Sequence, residues 1–293
     1  DQYFAVGVDG GGSGCRVAVC DASGHRICEV TGGPANVTSD RDQALSNVRD
    51  AVARCLQDCA MAGAAQEFAV AHVGLAGVIS KADEHAVSEA FPLGHVVVTD
   101  ERETALTGAL GDGFGVLAAI GTGTIIAARH RTARRNFGGW GLQISDQASG
   151  AWLGQNAYRR CVLAQDGLVE HSELTRRVLT MHTKDLAAMV AFARNATPQD
   201  YASIVPDIVE LATLGDSNAR HLMREGAAYL TACFDAADLT AGDVLCLSGG
   251  VGPHYKPYLP AQYADRAREP LGTPLDGAVT LAKRHRDAQM ASK

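Results

Sequence analysis

Short apolar runs separated by glycine-rich turns open the chain and predict a β-hairpin. The runs Tyr3–Val8 and Arg16–Cys20 have the length of strands, and the turn 9–14 (DGGGSG) lies between them. Glycines lack a Cβ atom, so backbone N–H groups in such a turn can approach a bound oxyanion closely. Asp9 and Ser13 add a carboxylate and a hydroxyl. The turn therefore suits a nucleotide phosphate with hydrated Mg²⁺, and it equally suits a plain hairpin whose Asp caps the turn.

The same layout recurs within Leu117–Arg129, where two apolar runs flank the turn 121–124 (GTGT). An offset of 111 residues aligns Ser13 with Thr124, while Asp9 has no carboxylate counterpart. Two hairpins of the phosphate-binding kind, one of them carrying the acid, indicate a duplicated fold that grips one nucleotide from both sides.

Between and after the hairpins, the apolar spacing switches repeatedly between strand and helix periods. It predicts a strand at His25–Thr31, a helix at Ser39–Ala62, a strand at Phe68–Gly74, a helix at Lys81–Phe91, a strand at His95–Thr99 and a helix at Glu101–Leu110. It further predicts a helix at Ala151–Leu163, mostly helix over 168–238, a strand at Val244–Leu247 and a basic helical tail. Antiparallel strands followed by strands linked through helices imply a mixed sheet flanked by helices, of the α/β class.

Composition narrows the range of partners. The 293 residues suffice for two domains, and a hydrophobic content of 46% supports packed cores. The net charge of −7 argues against a nucleic-acid surface, so we interpret the basic stretch Arg129–Arg135 as a solvated hairpin loop. The eight cysteines stand mostly singly in apolar runs, which favours free buried thiols and a cytoplasmic location. No apolar run approaches about 18 residues, so a membrane partner is not expected either.

Nine short motifs occur in an order that resembles one protein family over nearly the whole chain. They are DGGGSGCR (Asp9–Arg16), GGPANV (Gly32–Val37), GLAG (Gly74–Gly77), VTD (Val98–Asp100), GTGT (Gly121–Thr124), GGWG (Gly138–Gly141), SDQASGAWLG (Ser145–Gly154), LSGGVG (Leu247–Gly252) and PLDGA (Pro274–Ala278). The chain resembles the BadF/BadG-type N-acetylglucosamine and glucosamine kinases of the acetate and sugar kinase/Hsc70/actin (ASKHA) superfamily. The resemblance implies duplicated ribonuclease H-like, actin-like ATPase lobes. One lobe would cover residues 1–110 with a C-terminal helix at about 277–293, and the other 111–276.

The resemblance also implies an activity, namely ATP-dependent phosphorylation of an amino sugar at its 6-hydroxyl, with N-acetylglucosamine favoured and glucosamine next. Asp100, at the end of a buried strand, would be the general base, and Asp9 would act on hydrated Mg²⁺. The implied ATP-binding residues are Gly11, Gly12, Ser13, Arg16, Gly121, Gly123, Thr124, Gly249 and Gly250. The implied sugar-binding residues are Asn36, Gly77, Thr122, Gly139, Trp140 and Asp146.

Several alternatives stay open at the level of sequence. Asp100 and Asp146 also suit helix caps, and Trp140 also suits a core position. Gln147 stands where many relatives have Glu, which slightly favours an uncharged N-acetyl substituent. Other substrates would be another hexose or a keto-sugar acid. Other functions would be an ATP-hydrolysing BadF-type activator, which needs exposed cysteines, or a sugar sensor without turnover. We expect a homodimer through the helices of 168–238.

Overall fold

The computed structural model describes residues 3–59 and 66–291. The strands are β1 (Phe4–Gly10), β2 (Cys15–Cys20), β3 (Arg26–Gly32), β4 (Ala69–Leu75), β5 (His95–Asp100), β6 (Gly115–Ile120), β7 (Thr124–Arg129), β8 (Arg134–Phe137), β9 (Val244–Ser248) and β10 (Ala267–Arg268). The α-helices are α1 (Arg41–Asp58), α2 (Lys81–Ser88), α3 (Glu101–Leu110), α4 (Gly150–Gln165), α5 (Glu173–Met181), α6 (Leu186–Asn195), α7 (Pro198–Ala202), α8 (Val205–Leu214), α9 (Ser217–Ala237), α10 (Ala261–Ala264) and α11 (Pro274–Ala291). Short 3-10 helices cover Gln66–Phe68 and Gly252–Tyr258.

The chain forms two compact units, one made of Asp1–Gly113 with Pro270–Lys293 and the other of Phe114–Glu269. Each contains a five-stranded sheet, in the order β3-β2-β1-β4-β5 in the first unit and β10-β9-β6-β7-β8 in the second. In both sheets the hairpin strands pair antiparallel and the strands reached through helices pair parallel. The predicted mixed sheets and the α/β class are therefore confirmed.

Helices cover both faces of the first sheet. On one face α1 buries Val48, Val52 and Leu56 in a core shared with the sheet. On the other face α11 packs directly on β1, because a Cβ atom added at Gly7 would lie 2.6 Å from the backbone nitrogen of Val279. This packing places the last helix of the chain beneath the strand that carries Asp9.

The second sheet packs against a large helical insertion between α4 and β9. The core there combines β6 and β7 with residues such as Leu153, Leu222 and Phe234 from the helices. The insertion confirms the helical content predicted for residues 168–238. Within the described ranges, none of the helices combines the length and the apolar character needed to cross a bilayer.

Some sequence predictions are corrected at their edges. Helix α1 begins at Arg41, after the cap Asp40, whose carboxylate accepts from the amide of Gln43 at 3.0 Å. The predicted end of that helix at residues 60–62 lies outside the described residues. The solvated basic loop is confined to residues 130–133, because Arg129 is buried in β7 and Arg134 begins β8. All eight cysteines carry free thiols, six of them buried, as the sequence indicates.

Candidate functional site

The turn between β1 and β2 has two of its carbonyls bonded by backbone amides of the same unit. The amide of Gly11 donates to the carbonyl of Gly14 at 2.9 Å, and the amide of Ala35 donates to the carbonyl of Gly11 at 2.8 Å. The amides of Gly12 and Ser13 make no hydrogen bond to the described part of the chain. The turn thus keeps two backbone donors for an external acceptor, which is the requirement of an oxyanion site.

The turn between β6 and β7 is satisfied in the same way, by the start of α4. The amides of Gly150 and Ala151 donate to the carbonyls of Gly121 and Thr122 at 2.8 and 3.1 Å. The amide of Gly121 itself donates to the carbonyl of Gly123 at 3.0 Å. The carbonyls of Gly121, Thr122 and Gly123 therefore all accept backbone hydrogen bonds.

The two hairpins differ by one residue in length, which corrects the alignment made from sequence. In the first hairpin Gly10 pairs with Cys15, whereas in the second Ile120 pairs with Thr124. The matching turn residues are therefore Gly11 and Gly121, an offset of 110, and the alignment of Ser13 with Thr124 is wrong. Thr124 is the first residue of β7, where its buried hydroxyl donates to the carbonyl of Gln147 at 2.9 Å.

Asp9 faces Arg16 across the first hairpin. Their side chains form an ion pair, with Asp9 Oδ2 3.0 Å from Arg16 Nη2, and the Asp9 side chain is only 16% exposed. Burial raises the pKa of Asp9, and the neighbouring guanidinium opposes that shift. A second carboxylate was missed from sequence: a Cβ atom added at Gly11 would lie 3.7 Å from Glu101 Oε2.

These groups fit a hydrated Mg²⁺ that arrives with a nucleotide. Mg²⁺ keeps most of its waters and binds through one or two carboxylates together with phosphate oxygens. Asp9 and Glu101 supply carboxylates beside the turn whose amides are left as donors. Among the described residues, no group of three or more His, Cys, Asp or Glu is placed to hold a metal by itself. These donors therefore fit a metal ion that is bound jointly by the protein, water and phosphate oxygens, and not one enclosed by protein ligands alone.

Asp100 is the N-cap of α3. Its Oδ1 accepts from the amide of Arg102 at 2.8 Å, and its Oδ2 lies 3.7 Å from Arg102 Nη1. The side chain remains 32% exposed. In the sheet, Gly10 is opposite Leu75 and Leu75 is opposite Asp100, so the strand that carries Asp9 and the end of β5 are two strand spacings apart, roughly 10 Å. The capping role is real, and it leaves one carboxylate oxygen outside the cap.

Asn36 and Gly77 are brought together beside the first turn. Asn36 Oδ1 accepts from the amide and the hydroxyl of Thr38 at 2.9 and 2.7 Å. A Cβ atom at Gly77 would lie 2.5 Å from the same oxygen, and the φ of Gly77 is +82°. The amide of Ala76 donates to the carbonyl of Gly10 at 2.8 Å, which ties this segment to the hairpin.

In the second unit, Thr122, Gly123 and Asp146 come together. A Cβ atom at Gly123 would lie 3.4 Å from Asp146 Oδ2, while Asp146 Oδ1 accepts from the amide of Gly141 at 3.2 Å. The hydroxyl of Thr122 donates to Oε1 of Gln199 at 2.8 Å, a partner that sequence reasoning missed. The cap of α4 is not Asp146, as one alternative held, but Ser149, whose Oγ accepts from the amide of Trp152 at 3.0 Å.

The loop before Asp146 contains Gly139 and Trp140. Gly139 and Gly141 have positive φ values of 74° and 90°, a backbone that favours glycine. Trp140 is 62% exposed, so the alternative of a core position is wrong. The structure thus leaves a large aromatic side chain at the surface of the same loop as Asp146.

Gly249 and Gly250 follow β9 and lie beside the second hairpin. A Cβ atom at Gly249 would lie 2.3 Å from the carbonyl oxygen of Ile120, whereas no atom lies within 4 Å of one at Gly250. The 3-10 helix that begins at Gly252 lines a cavity of about 590 Å³. The other walls come from α8 and α9, and the lining includes Ala212, Arg220, Met223, Arg224, His254 and Tyr258. Sequence reasoning missed this cavity because its walls are separate in the chain.

The chain is similar to a known protein family and to individual sugar kinases. The profile of the BadF/BadG/BcrA/BcrD ATPase family matches residues 6–262. The chain is 28% identical over 282 residues to the glucosamine kinase GspK of Vibrio cholerae, covering 95% of both chains. It is 25% identical over 242 residues to an N-acetylmuramic acid/N-acetylglucosamine kinase of Clostridium acetobutylicum, covering 78% of this chain and 76% of that one.

A similar solved structure is that of a presumed N-acetylglucosamine kinase from Chromobacterium violaceum. It superimposes with a TM-score of 0.86 at 30% sequence identity, covering 96% of this chain and 99% of that one. Together with the two sheets of matching order, this similarity establishes the duplicated ribonuclease H-like, actin-like ATPase fold.

Proposed function

Because this chain belongs to the BadF/BadG/BcrA/BcrD ATPase family, we propose that it is an ATP-dependent kinase of amino sugars. The observation that carries the proposal is the pair of hairpin turns that bond carbonyls within their own unit, together with the amides of Gly12 and Ser13, which the first turn keeps as donors. Such turns present donors to anions rather than repelling them, and phosphoryl transfer depends on neutralising and aligning phosphate oxygens. The relatives that act on glucosamine and N-acetylglucosamine support the amino sugar as acceptor.

In this proposal the ATP-binding residues, which would bind the phosphates, are Gly11, Gly12, Ser13, Arg16, Gly121, Gly123 and Thr124. Mg²⁺, held in part by Asp9, would neutralise charge on the phosphates. Thr124 would act indirectly, because its hydroxyl bonds the carbonyl of Gln147. The family name supports the use of ATP.

We place the adenosine beside Gly249 and Gly250 and in the cavity that is lined by the 3-10 helix Gly252–Tyr258. Gly250 leaves open space for a flat ring against the backbone. Ala212, Met223 and Tyr258 offer apolar walls, while Arg220 and Arg224 offer positive charge. The cavity of about 590 Å³ is large enough for a nucleoside, since ligand sites typically measure about 300–1,000 Å³.

Asp100 would serve as general base. Oδ2, the carboxylate oxygen outside the helix cap, would accept the proton of the sugar 6-hydroxyl while the hydroxyl oxygen forms its bond to the γ-phosphorus and ADP departs. The proposed sugar-binding residues are Asn36, Gly77, Thr122, Gly139, Trp140 and Asp146. Carboxylate and amide side chains suit this task because each can bond more than one hydroxyl. We favour N-acetylglucosamine over glucosamine, on the ground that Gln147 adds no negative charge.

The test is ATP consumption by the purified protein with Mg²⁺ and a panel of N-acetylglucosamine, glucosamine, glucose, N-acetylmannosamine and 2-keto-3-deoxygluconate. We expect turnover with an amino sugar, and a sugar 6-phosphate in the ³¹P NMR spectrum of the product. Steady ATP hydrolysis that no sugar stimulates would overturn the proposal and favour an ATP-hydrolysing activator. Turnover with glucose or the keto-sugar acid alone would support a kinase activity but would refute an amino sugar as its substrate.

A further inference from the structure

Four groups in the first unit form a continuous hydrogen-bonded chain that runs from α11 to Asp100. His285 Nε2 in α11 lies 3.2 Å from His72 Nδ1 in β4, and the two rings are stacked. His72 Nε2 lies 3.0 Å from the hydroxyl of Thr99 in β5. That hydroxyl in turn lies 3.0 Å from the backbone carbonyl of Asp100. His72 is only 1% exposed, so this is an interior network.

The bond between the hydroxyl of Thr99 and the carbonyl of Asp100 fixes the direction of the other hydrogen bonds in the chain. A carbonyl cannot donate, so the single hydroxyl hydrogen of Thr99 points to Asp100. The Thr99 oxygen must then accept from His72, which places the proton of His72 on Nε2. A neutral imidazole with a protonated Nε2 has a bare Nδ1, which accepts from Nε2–H of His285. One arrangement of protons therefore satisfies the whole chain.

The surroundings favour the neutral form of both rings, and the arrangement of protons requires that form of His72. Burial lowers the pKa of His72 to about 3, with a smaller contribution from His285. Burial also lowers the pKa of His285, assisted by His95 from β5 and Arg284 from α11. The Arg284 guanidinium itself bonds the carboxylate of Asp112.

We propose that His72 is a positioning residue for Asp100, acting through the hydroxyl of Thr99. The proposal rests on the role of Asp100 as general base. Asp100 is the last residue of β5 and the N-cap of α3, so a fixed direction of its carbonyl also fixes the orientation of the Cα atom that carries the carboxylate. The amide of Arg102 holds the carboxylate from the helix side, and the His72–Thr99 chain holds the backbone from the sheet side.

The kinetic test compares variants that cut the chain with variants that preserve it. His72→Phe keeps an aromatic ring but removes the donor to Thr99, and Thr99→Val removes the hydroxyl at almost constant volume. We expect each to lower kcat by about 10- to 100-fold, because a misplaced base costs rate, with the sugar KM changed by less than about twofold. His72→Gln, whose Nε2 can still donate to Thr99, should recover most of the kcat.

Two further variants make the test decisive. If His72 acts through Thr99, the double variant His72→Phe/Thr99→Val should be no slower than the slower single variant. The matched control is His95→Phe, since His95 meets the ring of His285 edge-on but lies outside the chain, and its kcat should equal that of the wild type. Additive losses in the double variant, or a raised KM with unchanged kcat, would overturn the proposal. If His72→Phe fails to fold, Thr99→Val and Thr99→Ser carry the same comparison.

A spectroscopic readout separates this proposal from the proposed function. In ¹⁵N-histidine-labelled wild-type protein we expect His72 as the neutral Nε2–H tautomer between about pH 5 and 8, and His285 with a proton on Nε2. Thr99→Val should shift the Nε2 resonance of His72. If the protein does not phosphorylate sugars but shows these tautomers, the proposed function is refuted and the proposed hydrogen-bonded chain is supported. A His72 that carries its proton on Nδ1, or that titrates near pH 6, would overturn the chain whatever the enzyme does.

Discussion

The carboxylate of Asp100 accepts a hydrogen bond from the amide of Arg102 at 2.8 Å, so the proposed general base is also the cap of α3. Asparagine caps helices as well as aspartate does but cannot accept the sugar proton. We therefore expect Asp100→Asn to keep the melting temperature of the wild type and to lower kcat by about 10²- to 10⁴-fold. Steady-state kinetics and thermal unfolding measure both effects.

Asp100→Ala supplies the matched control for that variant. It removes the cap together with the base, so the free energy of unfolding should fall by about 1 kcal/mol while kcat falls as in Asp100→Asn. An Asp100→Asn protein that folds correctly and retains wild-type phosphoryl transfer would refute the assignment of the base.

Asp9 is expected to reduce stability while serving function. Because burial raises its pKa, the carboxyl holds its proton more tightly in the folded chain, so stability is greatest below the ordinary carboxyl pKa and is lost as pH rises towards the raised value. Asp9→Asn should therefore unfold at a higher temperature than wild type near about pH 7, and the difference should vanish near about pH 3. The Mg²⁺ concentration for half-maximal activity should rise about 10- to 100-fold.

The ion pair with Arg16 affects the sign of the stability change expected for Asp9→Asn. The Asp9–Arg16 ion pair opposes the effect of burial on the Asp9 carboxyl. If Asp9→Asn were less stable than wild type near about pH 7, the ion pair would outweigh the burial of the carboxylate, and the predicted sign would be wrong. Denaturant unfolding at several pH values gives the answer directly.

Much of the first unit could be predicted from sequence because its strands are short runs that end at or beside a glycine or a carboxylate. The predicted order of three strands, helix, strand, helix, strand and helix is the observed one. The family resemblance read from the nine motifs is confirmed by the profile match over residues 6–262. Local patterns thus carried both the fold class and the family.

What sequence could not supply were contacts between residues far apart in the chain. Thr124 looks like a turn residue in GTGT, and only its pairing with Ile120 places it in a strand. His72 and His285 are 213 residues apart, and nothing in their local sequences signals that they meet. The contact of Thr122 with Gln199 and the cavity beside Gly252 also depend on how the helical insertion packs.

Alanine substitutions at Gly249 and Gly250 form a matched pair. The added methyl group would meet backbone at Gly249 and open space at Gly250. A Cβ atom at Gly249 would lie 2.3 Å from the Ile120 carbonyl, and the φ of +80° is itself unfavourable for alanine. Gly249→Ala should lower the free energy of unfolding by about 1–3 kcal/mol or more. Gly250→Ala should unfold like wild type and raise the KM for ATP. A Gly250→Ala enzyme with an unchanged KM for ATP would count against adenosine at this segment.

Gln147 tests the preference between the two amino sugars. It lies between Asp146 and Ala148, both with positive φ, and its carbonyl is fixed by the hydroxyl of Thr124. Gln147→Glu keeps the shape of the side chain and adds a negative charge beside the proposed sugar ligand Asp146. The ammonium group of glucosamine should be attracted, so kcat/KM for glucosamine should rise about fivefold relative to N-acetylglucosamine, which corresponds to about 1 kcal/mol.

A control variant separates the effect of the charge at residue 147 from any general effect of adding a charge to this loop. Gln143→Glu places the same charge in an exposed position of the same segment and should leave the ratio of the two kcat/KM values unchanged. Because charge attraction is screened, the advantage of glucosamine in Gln147→Glu should shrink as salt is raised towards about 1 M. If Gln147→Glu left the ratio where the wild type has it, or moved it towards N-acetylglucosamine, the amino group of the sugar would lie elsewhere and Gln147 would not set the preference.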